Sequence, residues 1–491
     1  MLHYGANERE VCWDKSFVDT FENVEIGVGT PVRKETVFSC DAPWEGNHCG
    51  YMRVMKVGDK IRMYYSAGQY GKDFPSHFCV AESTDGRHFE RLLMKKYNYL
   101  NYEAKPVSFS LNNIFFHKLP QYHDNFSVFY DENPNCPADE KYKALGLFEE
   151  RIDGVRLEPR LHWSKSSNGV DFEDMGEVDV TGIFDTYNVM LWDKVTEQYF
   201  LYTRHYHHPD GTECHWKRTS MISDIREIRV SVSKDFRKWT QLGPIQFPEG
   251  TDDINLYTNQ VQKYYRAKNV FLGIPTRYIE RAADKHNFKH LPLGWDDSRE
   301  VLLEQGGRLG TAITDCVLMT SRDGVHFDRS EEPFFENTVQ NQYNWRYGDG
   351  YPHYGMLETP SDVLGEPNEI SLYMQEIAFI KPTQVVRYTI RLDGFYFFKT
   401  GKKGGTVLTK PFTFDGKGLQ INFATTIFGH VRIKVCDENG VEIEGYDSNV
   451  MFGNSVDRKV DFEKPLQALN GKTVRLKIEM KEAKLYSFMF E

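Results

Sequence analysis

Five times along this chain an apolar, strand-forming run enters a short polar turn and ends on an aromatic residue. The five segments are Val80–Phe89, Trp163–Phe172, Val230–Trp239, Val317–Phe327 and Val386–Phe395. Four of them carry Asp-Gly or Asn-Gly at the turn, as in Asp85-Gly86 and Asn168-Gly169. Those dipeptides supply the positive φ that a tight hairpin needs. Ahead of each hairpin lies another strand pair: Tyr51–Lys56 with Lys60–Tyr65, Asn113–His117 with Phe126–Tyr130, and Asn188–Trp192 with Tyr199–Thr203. The last two pairs are Asn259–Tyr264 with Val270–Ile274, and Tyr354–Glu358 with Glu369–Tyr373. Four strands in each of five blocks, with hardly any helical period, predict an all-β fold. It is a five-bladed β-propeller over residues 41–398. Beyond Phe395 the pattern becomes short alternating strands, such as Leu419–Phe423, Val431–Val435 and Val474–Ile478. Residues 399–491 read as a C-terminal β-sandwich, and residues 1–40 as a strap packed on one unit or the other.

Composition narrows the function. The 491 residues include 34 Phe, 28 Tyr and 8 Trp, side chains that favour strands and can stack on sugars. A net charge of −11 argues against nucleic acid or an anionic membrane as partner. No apolar run approaches a transmembrane length, and Met1–Glu10 lacks the features of a secretory signal. The eight cysteines form no Cys-x-x-Cys pair and read as free thiols in a reducing cytoplasm. A homo-oligomer is compatible with all of this.

In a propeller the inner strand of each blade starts, and the second strand ends, at one shared face. The residues read at those positions are Glu45, Asn113, Asp131, Asp185, Asn188, Arg204, Asp252, Tyr257, Asn259, Arg277, Asp349, Tyr351 and Glu376. Carboxylates among tyrosines and amides are what glycoside cleavage needs. One carboxyl protonates the leaving oxygen, another activates water or attacks the sugar, and aromatics and amides hold the ring and its hydroxyls. A carbohydrate is therefore the expected ligand. Arg204 and Arg277 occupy equivalent places in adjacent blades and read either as a clamp for an oxyanion or as counter-ions of nearby acids. The first alternative brings phosphorolysis, or a phosphorylated or uronic sugar, into consideration. A propeller that binds glycan without cleaving it is a further alternative.

Pro43-Trp44-Glu45, Phe184–Asn188, Tyr257–Asn259, Ser321–Gly324 and Arg391–Phe395 resemble the five-bladed propeller glycoside hydrolases, a group of invertase/levansucrase-like and arabinanase/xylosidase-like enzymes. The resemblance is nearest to uncharacterised bacterial family-32-like proteins and extends over the C-terminal sandwich. It implies a glycosidase with one acid from each of the first three blades. On that placement Glu45 is the base or nucleophile, Asp131 the orienting acid and Asp185 the proton donor, with Asp41, Asp252, Asp349 and Glu376 as rivals. The Trp-Met-Asn-Asp-Pro-Asn-Gly and Arg-Asp-Pro boxes of the invertases are absent.

Other motifs fail on spacing. His205, His207, His208, Cys214 and His215 match no zinc pattern. Asp131-x-Asn133-x-Asn135 begins like a calcium loop, but has Cys136 at position six and Tyr142 at position twelve. No P-loop and no nucleophile elbow appear. Neither metal nor cofactor is expected.

Overall fold

The computed structural model describes residues 2–68, 77–101, 107–117, 125–153, 155–217, 223–338, 341, 343–379 and 382–491. Five antiparallel sheets stand around a common axis as the five blades of a propeller. Blade three follows the expected plan, with Val189–Asp193, Gln198–His207, Ile225–Ser233 and Thr240–Pro244 paired in chain order from the axis outward. Blade four is built from Gln262–Lys263, Phe271–Gly273, Met319–Ser321 and Phe327–Arg329. Beyond its sheet, Thr276–Glu280 and Ala312–Cys316 pair as a hairpin, and their connection carries the helix Asp297–Gly306. No helix among the described residues is long and apolar enough to cross a membrane.

The repeated turn has a chemical cause. The amides of Gly86, Gly169 and Gly324 each donate to the serine hydroxyl three residues earlier at 2.9 Å, with φ of +71°, +76° and +78°. A Cβ at these glycines would meet neighbouring side chains at under 3 Å. The residue type is therefore set twice, by backbone and by space.

Two blocks depart from the expected strand order. In block two, Ile114–His117 pairs with His77–Ser83 and completes the outer edge of blade one. Ser127–Tyr130 is therefore the inner strand of blade two, followed by Tyr142–Phe148, Arg160–Ser166 and Glu173–Glu177. In block five the outer strand comes from the N-terminus. Val32–Ser39 pairs with Gln384–Arg391, which closes the ring.

The N-terminal strands also join the C-terminal unit, an eleven-stranded sheet system built on Leu419–Asp437 and Val474–Phe490. It encloses its own core of Phe398, Phe412, Phe414, Ile433, Ile478 and Phe488, with Cys12 and Phe17 from the N-terminus. The fifth turn is the joint between the two units. Asp393 is buried and accepts from Tyr264 Oη (2.6 Å), Arg266 Nε (2.8 Å), Ser487 Oγ (2.7 Å) and Asn422 Nδ2 (3.2 Å), with Arg9 Nη1 at 3.3 Å. Burial alone would raise its pKa, but Arg9 and Arg266 hold the carboxyl below the usual aspartate value. All eight cysteines are buried free thiols.

Candidate functional site

The inner strands begin at what we call the upper mouth. Asp185 lies on the turn entering blade three, just after Phe184 at φ +58°. Asn188 holds that turn through Nδ2, which donates to the Phe184 and Thr186 carbonyls at 3.1 Å each. Asn259 Nδ2 donates to the Tyr187 carbonyl at 3.0 Å and ties the entry of blade four to it. Arg204 Nη1 donates to Asp185 Oδ1 (3.2 Å) and to Tyr206 Oη (3.0 Å), and Tyr206 Oη donates to Asp185 Oδ2 (3.1 Å). The Asp185 side chain keeps 30% of its surface exposed, whereas Arg204 is buried.

Beside this trio stands a wall of tyrosines. The Arg204 guanidinium lies 4.5 Å from the Tyr257 ring, and Tyr257 stacks on Tyr278 at 5.3 Å. The Tyr257 and Tyr347 hydroxyls are 2.8 Å apart, and Tyr351 meets Tyr257 edge-on at 5.9 Å. Arg226 lies 4.5 Å from the Tyr278 ring, with Nη1 on Asn255 Oδ1 (3.0 Å). No carboxylate among the described residues pairs with Arg226, and its Nε has no hydrogen-bond partner. Glu280 accepts from Tyr278 Oη (2.9 Å) and Arg308 Nη1 (3.0 Å). Burial keeps two histidines near the mouth neutral, His48 at about 4 and His353 at about 3. The cationic character of the mouth is thus carried by arginine.

Asp349 sits on the loop between Tyr347 and Tyr351, buried, with neither carboxyl oxygen in a hydrogen bond of good geometry. Burial raises its pKa well above the usual aspartate range, against the pull of Arg346. The loop is braced by the helical insertion of blade four. Arg346 Nη1 reaches Asp296 Oδ1 at 2.9 Å, and Arg299 Nη2 reaches the Trp345 carbonyl at 2.6 Å. Non-glycine residues at positive φ gather around this face: Tyr51, Phe184, Gln260, Trp345, Ile377 and Phe379. For a β-branched residue such as Ile377 that backbone is strained, a feature concentrated at functional sites.

Six of the expected site residues lie away from the mouth. Asp131 follows an inner strand rather than a second strand, so it sits at the opposite end of the propeller. There it accepts from Lys143 Nζ (2.6 Å) and Tyr199 Oη (2.8 Å) in full burial. Asn113 lies on the edge of blade one, accepting from Trp44 Nε1 and donating to Tyr65 Oη, both at 2.7 Å. Glu45 precedes the first inner strand, but its carboxylate turns across the blade. It accepts from the Ala42 amide (2.9 Å), Tyr65 Oη (2.6 Å) and Arg91 Nη2 (2.7 Å), with no exposed surface. Glu376 likewise turns outward, onto Arg33 Nη2 and Tyr388 Oη at 2.8 Å each. Asp252 is an exposed partner of Arg329. The Arg277 fork is filled by Asp315 at 2.7 and 2.6 Å, so it makes no clamp with Arg204.

The strand-end segments Tyr202–Tyr206, Pro275–Tyr278 and Tyr347–His353 bring Tyr206, Tyr278 and Tyr347 to the mouth, whereas Arg226, Glu280 and Arg308 escaped the sequence reading. Third strands start at the same face as second strands end, and Arg226 stands at such a start. Tyr206 follows Arg204 by two residues and so shares its side of the strand. Near the mouth, Asp224 joins His208 and Cys214, with ligand atoms within 4.8 Å of one another. His208 Nδ1 is 3.1 Å from Asp224 Oδ1 and 3.4 Å from Cys214 Sγ. These three side chains are of metal-ligand type, one short of a closed tetrahedral set.

No family model and no curated protein matches this sequence. Among solved structures the chain is similar to a glycoside hydrolase at 11% identity, covering 74% of this chain and 92% of that one, with a TM-score of 0.44. It is similar to a glycosyl hydrolase from Bacteroides ovatus at 14% identity, 74% and 94% coverage and a TM-score of 0.38. It is also similar to a family-32 β-fructofuranosidase from Bombyx mori at 10% identity, 96% and 94% coverage and a TM-score of 0.36.

Proposed function

We propose that this chain is a glycoside hydrolase that receives a small oligosaccharide or glycoside at the upper mouth. The observation that carries the reading is Asp185, a half-open carboxylate fixed by Arg204 and Tyr206 beside a wall of stacked tyrosines. Tyrosine faces and the Arg204 and Arg226 forks suit a sugar ring and its oxygens. A carboxylate locked in an ion pair suits the base or nucleophile role, so the proton donor is another acid. Asp349, whose pKa burial raises well above the usual aspartate range, suits that role, and Glu280 is its rival.

The test is turnover of a panel of aryl glycosides and natural oligosaccharides by wild type and Asp185→Asn. Cleavage by the first and its loss in the second supports the reading. Binding of intact sugar with no cleavage over days would leave a carbohydrate-binding propeller instead. A second reading is favoured by Arg226, a cation of the mouth without a carboxylate partner: phosphorolysis, or a sugar bearing an acidic group. Phosphate in the assay decides the first of these. A rate that rises with phosphate and a sugar phosphate product would replace hydrolysis by phosphorolysis.

A further inference from the structure

At the other end of the axis, where the inner strands finish, the propeller opens into a cavity of about 1080 Å³. Charged side chains are numerous on its walls, and most are matched. Lys263 Nζ lies 2.9 Å from Asp193 Oδ1, Lys194 Nζ lies 3.0 Å from Glu132 Oε2, and Arg87 pairs with Glu35 and Asp362. Arg53 is buried and unmatched. It projects from the inner strand of blade one, is 1% exposed and lines the cavity. Its guanidinium is clamped between two aromatic faces, 3.8 Å from the Phe129 ring and 4.0 Å from the Tyr354 ring. Nε, Nη1 and Nη2 all lack a hydrogen-bond partner. Gln262, on the same cavity wall, has a buried Nε2 that also lacks one.

Aromatic faces attract a guanidinium through its π surface but accept none of its five in-plane N–H groups. A buried cation with every donor idle is among the costliest arrangements a fold can hold, because desolvation is not offset by any acceptor. The two rings also fix the plane of the guanidinium. The fork is thus oriented before any ligand arrives.

We propose that the lower cavity is an oxyanion site, in which the edge of Arg53, assisted by Gln262, receives the carboxylate or phosphoryl group of a small molecule. A planar fork presented edge-on matches two oxygens of one group, which a halide lacks. The upper mouth is not involved. Tyr187 meets Tyr51 on the upper side at 5.5 Å and Arg53 on the lower side at 5.5 Å, so a tyrosine ring lies between the two ends of the axis.

Thermal unfolding at constant ionic strength, in acetate, inorganic phosphate or chloride, tests this on the intact chain. Acetate or phosphate should raise the midpoint by about 2–4 °C over chloride at saturating concentration. Whichever of the two acts more strongly indicates whether the natural ligand carries a carboxylate or a phosphoryl group. Arg53→Lys keeps the charge and loses the fork, and should lose the difference between oxyanion and chloride. Wild-type crystals soaked in selenate provide a readout that needs no variant, with an anomalous peak expected at hydrogen-bond distance from Arg53. Equal midpoints in all three salts, an undiminished oxyanion effect in Arg53→Lys, or water alone on the Arg53 edge in the soaked crystals would overturn the proposal.

Discussion

Asp185 and Asp131 both stand at the ends of inner strands, 54 positions apart in the sequence, yet they occupy opposite faces and opposite chemical situations. Asp185 precedes its strand, opens to the mouth and shares its charge with Arg204 and Tyr206 while 30% of its side-chain surface stays exposed. Asp131 follows its strand and is closed off by Lys143 and Tyr199 with nothing left exposed. An acid near a propeller axis is therefore a reagent or a fastener according to what fills its lone pairs. Glu45, enclosed by Arg91, Tyr65 and the Ala42 amide, belongs with the fasteners.

The contrast is open to direct attack, and the largest effect is expected at Asp131. Replacing it with Ala leaves Lys143 charged and buried, and should cost about 3–5 kcal/mol of stability. Denaturant titration reads this, and a loss below 1 kcal/mol would show the pair to be idle. Asp185→Asn should do the reverse, with stability within about 0.5 kcal/mol of wild type and turnover down at least about 10²-fold. Near-wild-type turnover by the folded variant would remove Asp185 from the mechanism. Glu45→Gln sits between them. It keeps the shape but weakens the charged hydrogen bonds, for a loss of about 1–3 kcal/mol in stability with the rate per folded molecule unchanged.

Acidity separates the same two classes. Asp393 has a lowered pKa in the fold, so the unfolded chain binds the extra proton. The stability from this joint is full above the ordinary aspartate value near 3.8 and is lost as pH falls through the lower folded value. Asp349 is raised, so the folded chain holds the extra proton, and stability falls as pH climbs from about 3.8 towards the raised value. Melting curves against pH should therefore have a shallower acid-side slope in Asp393→Asn and a shallower upper-side slope in Asp349→Asn. An unchanged slope would remove that aspartate from it. The smallest effect is expected at Arg277→Lys, a part-exposed pair with Asp315, at about 0.2–1 kcal/mol with turnover unchanged.

The repeat count and the turns were legible because they are local. A Ser hydroxyl three residues before a Gly at positive φ is written in a few consecutive letters. The Asp-Gly dipeptide at Asp393 also reads as one more hairpin, but here the strand that follows leaves for the C-terminal unit and the aspartate becomes the joint. No short window could say so, since Arg9, Tyr264, Asn422 and Ser487 are remote in sequence. Asp185 and Arg204 were found together because adjacent strands of one hairpin place them together.

What the sequence determined by itself was therefore periodic: strands, turns, five blades, and a mouth lined by residues at strand ends. What the tertiary structure alone decided was which end each residue occupies and what closes its valences. Alternate strands of a blade run in opposite directions. Moving Phe126–Tyr130 from second strand to inner strand therefore carries Asp131 from one face to the other without changing a letter of its surroundings. Glu45 stands at the expected end, and only the side chains of Tyr65, from the second strand, and Arg91, from the short edge strand Glu90–Arg91, turn it from the mouth into the blade. Charge and spacing are properties of a chain, whereas burial and pairing arise only when distant strands meet.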